Sequence, residues 1–181
     1  MTDIYLLRHP ETVWNVEGRF QGRKEGPITK KGEEEASNFV KNLQLKRIDI
    51  IYYAESNRTK YMAWKIKKRY KDAVLLMDPR LNERDFGENE GKLYAEVYDS
   101  SDNFVDYELR FKRKPPKGES HEEVSNRVNE FINDVLCLDE EKVVLCITSG
   151  SVIRNILRIN KNLSLEEMYK MDIPNLYFVK L

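Results

Sequence analysis

An adjacent arginine and histidine, Arg8 and His9, follow a short apolar run and are the residues of this chain best suited to chemistry. A guanidinium group presents fixed hydrogen-bond donors that match phosphate oxygens, and an imidazole beside it can act as a nucleophile or carry a proton. Arg58 follows a second apolar run, where Ser56 and Asn57 are candidate helix N-caps whose free backbone amides also favour an anion. These residue types together indicate a phosphate site.

The elements that must position these residues alternate between strand and helix along the chain. Apolar runs predict strands over residues 3–7, 48–53, 73–77 and 143–147, with a last edge strand over 177–180. Amphipathic spacing predicts helices over about 31–43, 61–70, 120–137 and 151–159. We therefore predict an α/β fold, a three-layer sandwich in which a mostly parallel sheet carries helices on both faces. Ligands of such folds bind where the carboxyl ends of the strands meet the loops.

Length and charge limit the function classes. The 181 residues predict one domain over 1–181, with a variable and partly helical insertion at about 93–117. Thirty-one basic residues balance thirty-one acidic ones, so no global field favours nucleic acid or an anionic membrane. No apolar run approaches the roughly 20 residues of a membrane-spanning helix, and no signal pattern opens the chain. We expect a cytoplasmic protein without nucleic-acid or membrane partners.

The two cysteines and the second histidine offer little further chemistry by sequence. Cys137 and Cys146 lack the close pairs or neighbouring histidines of zinc and redox motifs, and we expect both to be buried bystanders. His121 is the only histidine besides His9. No spacing in the chain predicts a metal site.

The motifs around Arg8, His9 and Arg58 resemble those of the histidine phosphatase (phosphoglycerate mutase-like) superfamily, in the same order and over nearly the whole chain. The matching segments are Leu6-Leu7-Arg8-His9-Pro10-Glu11-Thr12 with Asn15, Gln21-Gly22, residues 27–32, Ser56-Asn57-Arg58-Thr59, Leu81-Asn82-Glu83 with Phe86-Gly87 and Glu90-Gly91, Gly118-Glu119-Ser120, and the apolar run 143–147 followed by Thr148-Ser149-Gly150. The resemblance implies the phosphoglycerate mutase-like form of the α/β sandwich, as one histidine phosphatase-like domain.

The resemblance also implies a role for each matching side chain. His9 would be the nucleophile that forms a phosphohistidine, and Glu83 would be the general acid and base. The phosphoryl oxygens would be held by a set of neutral and cationic donors: Arg8, Arg58, Asn15 and Ser149. Gln21 and Gly22 would form the substrate rim, where the amide of Gln21 is expected to act as a neutral donor. The design needs no metal and no other cofactor.

Two positions depart from the family pattern. Ser149 stands where the family has its second catalytic histidine, and a hydroxyl offers a weaker, neutral hydrogen bond to the phosphoryl group. Losing one such donor typically costs about 10² to 10³ in rate. Pro10 stands where glycine is usual, and it removes a backbone amide. His121 matches no catalytic position of the family.

The sequence thus predicts a metal-independent phosphomonoester phosphatase with reduced activity, and two alternatives stay open. One is a catalytically impaired pseudoenzyme that binds a phosphorylated metabolite or protein. The other is phosphoglycerate mutase-type transfer, which the short chain disfavours because a mutase must keep water from the phosphorylated enzyme. The expected partner is a small phosphorylated metabolite or a phosphoprotein, and the sequence leaves open whether the chain forms a homodimer.

The predicted insertion contains a basic stretch and two aromatic residues. The basic residues, from Arg110 to Lys117, form either a positive rim that selects acidic substrates or a solvated loop. Tyr107 and Phe111 are four positions apart, which favours one packing face on a helix over a surface for stacking bases.

Overall fold

The computed structural model of the protein describes residues 2–97, 106–138 and 141–181, so the part of the predicted insertion at 98–105 lies outside the described residues. The strands are β1 (Asp3–Arg8), β2 (Ile50–Tyr53), β3 (Val74–Met77), β4 (Val143–Thr148) and β5 (Phe178–Lys180). The helices are α1 (Val13–Val16), α2 (Lys30–Asn42), α3 (Asn57–Lys67), α4 (Tyr94–Val97), α5 (Tyr107–Lys112), α6 (His121–Leu136), α7 (Gly150–Asn160) and α8 (Leu165–Lys170). Two short 3-10 helices span Pro79–Leu81 and Gly87–Asn89.

The five strands form one sheet in the order β3-β2-β4-β1-β5. The pairs β1 with β4, β4 with β2 and β2 with β3 are parallel, and β5 pairs with β1 in the antiparallel direction at the edge. Parallel neighbours require crossover connections, and the helices between the strands supply them. The predicted mostly parallel sheet is confirmed, with the strand ends within two residues of their predicted positions.

Two hydrophobic clusters cover opposite faces of the sheet, because side chains alternate along each strand. On one face Ile4 and Leu6 of β1 belong to a cluster with α6 and α7. On the other face Leu7 belongs to a cluster with α2 and α3. The predicted three-layer sandwich is confirmed.

Local capping explains where the helices near the site begin. The Ser120 side chain accepts a hydrogen bond from the backbone of Glu123, and the Glu123 carboxylate accepts one from the backbone of Ser120. This capping box starts α6 at His121. Ser56 caps α3 through the backbone N–H of Thr59, so the candidate cap Asn57 is instead the first helical residue.

Two further predictions concern the packing of the insertion and the burial of the cysteines. The first is confirmed, and the second is wrong for one cysteine. Tyr107 and Phe111 lie in one cluster with residues of α8, as the four-residue spacing predicts. Cys146 is buried in β4, which raises the pKa of its thiol, but Cys137 is exposed. The expectation that both cysteines are buried was wrong, because Cys137 lies at the end of α6, beyond the turns that face the core.

The basic stretch divides between the surface and the interior. Lys114 pairs with Glu123 and Lys117 pairs with Glu88, both as exposed ion pairs. Arg110 instead faces a cavity described below. Within residues 2–97, 106–138 and 141–181, the structure contains no helix with the length and apolar character needed to cross a membrane.

Candidate active site

The register of the parallel strands brings the sequence-predicted residues to one edge of the sheet. Arg8 is aligned with Thr148, and the backbone N–H of His9 donates to the Thr148 carbonyl over 3.0 Å. The N–H of Ala54, just after β2, donates to the Ile147 carbonyl over 3.1 Å. Because parallel strands end at the same edge, the residues after β1, β2 and β4 become neighbours.

A cavity of about 560 Å³ opens at this edge. All of the predicted site residues except Ser149 line it. Its wall consists of Arg8, His9, Asn15, Phe20, Gln21, Gly22, Arg58, Glu83, Arg84, Phe86, Tyr94, Arg110, His121, Gly150, Ser151, Arg154, Tyr169, Ile173 and Asn175.

His9 is held as a neutral imidazole whose Nε2 carries a lone pair. The side chain is 3% exposed, and Nδ1 lies 2.8 Å from the carbonyl oxygen of Pro10. A carbonyl oxygen can only accept, so the hydrogen is on Nδ1. Burial, together with the charges of Arg58 and Arg8, holds the pKa of His9 well below its ordinary value. His9 is therefore uncharged at neutral pH and can act as a nucleophile through Nε2.

The backbone of His9 is fixed by an asparagine that the sequence did not reveal. Asn175 donates from Nδ2 to the His9 carbonyl over 3.1 Å and to Oδ1 of Asn15 over 3.2 Å. The unusual Pro10 keeps the carbonyl that orients the imidazole, although it lacks an amide. The loop after β1 therefore positions His9 despite the proline.

Arg8 and Arg58 place two cations beside His9. Arg58 is 1% exposed, and its terminal nitrogens donate to the carbonyls of Gly22 over 2.8 Å and Lys24 over 3.1 Å. A terminal nitrogen of Arg8 donates to the Ile173 carbonyl. Burial lowers the pKa of both guanidinium groups, yet groups of this type stay charged in proteins. The Nε atoms of both are buried without a hydrogen-bond partner in the described part of the chain.

Asn15 and Gln21 both line the cavity and both contact the hydroxyl of Thr12. Oδ1 of Asn15 accepts from the backbone N–H and the hydroxyl of Thr12, over 3.2 and 3.0 Å, which leaves its amide nitrogen as the group able to donate. Because the Thr12 hydroxyl donates to Asn15, it accepts from Nε2 of Gln21. Oε1 of Gln21 is buried without a partner among the described residues. Thr12 takes one of the two hydrogens on Nε2 of Gln21, and the expected role of this amide as a neutral donor at the rim stays a prediction.

Gly22 allows a carboxylate to approach the rim. Its φ of +54° lies in the left-handed region, and a Cβ built there would be 1.9 Å from Oε1 of Glu90. The same Glu90 oxygen accepts from the backbone N–H of Arg23 over 2.7 Å. This turn also directs the Gly22 carbonyl to Arg58, so a side chain here would disturb the arginine.

Glu83 is the one carboxylate among the described residues that line the cavity. Its Oε1 accepts from the backbone N–H of Arg84 over 2.7 Å. The preceding Asn82 is buried and accepts from the N–H of Glu55 over 2.6 Å, while the Thr148 hydroxyl donates to the Leu81 carbonyl. These bonds tie the glutamate segment to the ends of β2 and β4.

Ser149 lies at the edge of the site but not on the cavity wall. It is the N-cap residue of α7 and 1% exposed, and its Oγ has no hydrogen-bond partner among the described residues. Its neighbours Gly150 and Ser151 line the cavity. The unpartnered Oγ keeps its hydrogen to donate, and the phosphate-binding role of this hydroxyl stays a prediction.

The cavity extends past the predicted catalytic and phosphate-binding residues into a basic half, which includes Arg110 of the stretch that the sequence offered as a positive rim. Arg84, Arg110 and Arg154 line it together with His121. The sequence signals were the position of Arg84 directly after Glu83 and that of Arg110 in the basic stretch. His121 and Arg154 come from α6 and α7 and were missed. Within the described ranges, no group of three or more histidine, cysteine or acidic residues is arranged to hold a metal ion.

Comparisons with known proteins extend over almost all of the chain. The sequence model of the histidine phosphatase superfamily (branch 1) matches residues 4–181. The chain is 29% identical over 180 residues to "Putative phosphoserine phosphatase 2" of Hydrogenobacter thermophilus, covering 97% of this chain and 86% of that protein. It is 32% identical over 159 residues to "Probable phosphoglycerate mutase GpmB" of Enterobacter sp., covering 83% and 70%.

The solved structures agree with the fold. "Bacillus stearothermophilus YhfR" superposes with a TM-score of 0.83 at 29% identity, covering 98% of this chain and 87% of that one. A structure named "Mycobacterial hydrolase 1" gives 0.87 at 20% identity, covering 99% and 90%.

Proposed function

The chain belongs to the histidine phosphatase superfamily, branch 1, and we propose that it is a metal-independent phosphomonoester phosphatase acting through a phosphohistidine at His9. The family and the relatives support a phosphatase or phosphoryl-transfer role. One observation carries the finer proposal: His9 is buried and neutral, its hydrogen is held on Nδ1 by Pro10, and the charges of Arg8 and Arg58 are close enough to lower its pKa. A small phosphorylated metabolite or a phosphoprotein is the proposed substrate.

In the first step Nε2 of His9 attacks phosphorus while the bond from phosphorus to the leaving oxygen breaks. Protonated Glu83 gives its proton to the leaving oxygen, so a neutral alcohol departs. The charge on the transferring group is spread over three oxygens, which Arg8, Arg58 and the amide of Asn15 stabilise. Because these donors are held by carbonyls and by Thr12, they need little reorganisation during the reaction.

In the second step water attacks the phosphohistidine. The Glu83 carboxylate removes a proton from the water, and the phosphorus–nitrogen bond breaks with its electron pair returning to Nε2. Inorganic phosphate leaves, with Glu83 protonated again and His9 neutral. The proton given to the alcohol in the first step is thus recovered from water.

Ser149 is proposed to replace the family's second catalytic histidine, and this replacement predicts reduced activity. A histidine at this position would extend further from the backbone than the buried serine and could donate to the phosphoryl group. The expected cost of its loss is about 10² to 10³ in rate.

Ser149 is also the observation that favours a second candidate function. A pseudoenzyme would keep the arginines and the cavity to bind a phosphorylated metabolite or protein without turnover. Mutase-type transfer remains a third candidate, with the relative named "Probable phosphoglycerate mutase GpmB" in its support. The relative named "Putative phosphoserine phosphatase 2" matches more of this chain, which favours hydrolysis.

The test is hydrolysis of para-nitrophenyl phosphate with a chelator present, for the native chain, His9→Ala and Ser149→His. We expect slow turnover by the native chain, none by His9→Ala, and turnover about 10²-fold faster for Ser149→His. If the native chain and Ser149→His are both inert while vanadate or phosphate still binds, the phosphatase proposal fails and the pseudoenzyme is favoured.

A further inference from the structure

His121 lies in the same cavity as His9, although the proposed reaction does not use it. It is the first residue of α6 and is 6% exposed. The imidazole lies between two aromatic rings, with its centroid 5.3 Å from that of Tyr169 and 6.5 Å from that of Phe111. These contacts fix the plane of the ring, so its nitrogens point in defined directions.

A buried asparagine determines which nitrogen of His121 carries the hydrogen. Nδ2 of Asn155 lies 2.8 Å from the carbonyl oxygen of Ser151, which can only accept, and this contact fixes the orientation of the amide. Oδ1 of Asn155 correspondingly accepts from the Ser125 hydroxyl over 2.8 Å. The second hydrogen on Nδ2 then points to Nδ1 of His121 at 3.1 Å. Nδ1 must accept, and the hydrogen of the neutral ring is on Nε2.

The Nε2–H group of His121 is available to a ligand. It has no hydrogen-bond partner among the described residues, and His121 lines the cavity. Burial, followed by the charges of Arg84, Arg110 and Arg154, holds the pKa of His121 well below its ordinary value. The group therefore stays a neutral donor at physiological pH.

The surroundings of His121 are strongly positive. Arg110 stacks over the Tyr169 ring at 4.1 Å, and Arg154 donates to the Met171 carbonyl over 3.1 Å. Neither of these two arginines forms an ion pair with a carboxylate in the described part of the chain. Arg154 also lies close enough to Arg8 to affect its pKa, so this basic half adjoins the phosphoryl end of the cavity. A leaving group bound here would meet cations and one N–H donor.

We propose that His121 is a specificity-determining residue that donates from Nε2 to a carboxylate on the leaving group, with Arg110 and Arg154 compensating its charge. Planar guanidinium groups and a ring N–H suit the two oxygens of a carboxylate. The preferred substrates would be phosphomonoesters of small alcohols that carry a carboxylate. The inference rests on the proposed phosphatase function, because it assigns the part of the substrate that is not transferred.

A matched pair of substrates isolates the carboxylate. 3-Phosphoglycerate and glycerol 3-phosphate share a three-carbon skeleton and differ in having a carboxylate or a hydroxymethyl group. We would measure kcat/KM for both, and their affinity for the His9→Ala protein by calorimetry. The variants are His121→Phe, which keeps a ring between Phe111 and Tyr169, and His121→Gln, which keeps an N–H donor near Nε2.

We expect the native protein to prefer 3-phosphoglycerate by about tenfold or more, the range for a hydrogen bond to a charged group. His121→Phe should lower this preference about tenfold, and His121→Gln should restore most of it. A native protein without the preference would overturn the inference. A His121→Phe variant that keeps the preference would also overturn it. So would a His121→Phe variant in which kcat/KM falls equally for both substrates, since an equal fall marks a purely structural role.

The binding measurement separates the inference from the proposed function. If glycerol 3-phosphate is hydrolysed but no carboxylate preference exists, the phosphatase stands and the role of His121 is wrong. If no phosphomonoester is hydrolysed, the phosphatase proposal fails. The affinity ratio of the two ligands, with and without His121→Phe, then still decides whether His121 recognises a carboxylate.

Discussion

The two histidines of the chain share burial, a depressed pKa and neighbouring arginines, yet the structure prepares them for opposite tasks. Nδ1 of His9 meets a carbonyl oxygen, so it carries the hydrogen and Nε2 keeps a lone pair. Nδ1 of His121 meets an amide nitrogen, so Nε2 carries the hydrogen. The first ring can attack phosphorus, whereas the second can only donate through Nε2.

This comparison shows that one hydrogen-bond partner assigns the chemistry of a buried imidazole. Burial and positive charge keep both rings neutral, but neither effect chooses between the two nitrogens. The choice belongs to Pro10 at one end of the cavity and to Asn155 at the other. In the proposed reaction the phosphoryl end thus provides a nucleophile with arginine clamps, and the basic end provides a neutral donor with further arginines.

The largest expected effect is the difference in turnover when the same substitution is made at His9 and at His121. His9→Gln should reduce turnover of para-nitrophenyl phosphate by at least about 10⁴-fold, because glutamine cannot form the phosphorylated intermediate. His121→Gln, the matched control, should reduce it by about tenfold or less. Steady-state rates of both purified variants, with melting temperatures as a folding check, would measure the difference. Equal losses would remove the distinction between the two ends.

A smaller effect on kcat/KM separates Arg58 at the phosphoryl end from Arg154 at the basic end. Arg58→Lys should lower kcat/KM by about 10² to 10³ for glycerol 3-phosphate and 3-phosphoglycerate alike, because an ammonium cannot contact two carbonyls and the phosphoryl group together. Arg154→Lys keeps the charge at the basic end and should cost about tenfold or less, mainly for 3-phosphoglycerate. A larger loss for Arg154→Lys than for Arg58→Lys would reverse the assignment of the two ends.

The smallest effect concerns stability and pH. The folded pKa of His121 lies well below its unfolded value of about 6.5, so below that pH the unfolded chain binds the additional proton. The contribution of His121 to the free energy of unfolding is fully present above about pH 6.5. It is lost as the pH falls toward the folded pKa, by up to about 1.4 kcal/mol per pH unit.

His121→Phe should therefore give a shallower fall in the free energy of unfolding between about pH 7 and pH 5. Urea titrations at several pH values would measure the two slopes. Because His9 titrates in the same direction, the slope should shrink without disappearing. Identical slopes would show that His121 is not kept neutral by the fold.

The fold and the phosphoryl end could be predicted because their signals are local in the sequence. An apolar run that ends in Arg8-His9 predicts both a buried strand and the position of the site at its carboxyl end. The capping serines Ser56 and Ser120 likewise mark helix starts within a few residues of the side chains that they position. The order of the family motifs along the chain then indicated that these segments belong to one site.

The basic end could be predicted only in part, because its residues lie far apart in sequence: the basic stretch pointed to Arg110, but nothing pointed to His121 or Arg154. Arg110, His121 and Arg154 meet only after α5, α6 and α7 pack against one another, and no spacing connects them. Atomic partners were equally hidden: the Thr12 hydroxyl donates to Asn15 and accepts from Nε2 of Gln21, and no spacing in the sequence indicates these contacts. The tautomer of each histidine depends on a partner that only the three-dimensional structure identifies.

Trapping the phosphorylated protein tests the central claim most directly. The native chain would be mixed with a phosphomonoester, quenched in base through the course of one turnover because phosphohistidine is labile in acid, and digested for mass spectrometry. The account predicts one phosphoryl group on the peptide that contains His9, and none in His9→Gln. Turnover with the phosphoryl group on His121 or Ser149, or with no phosphorylated protein at any time, would contradict it.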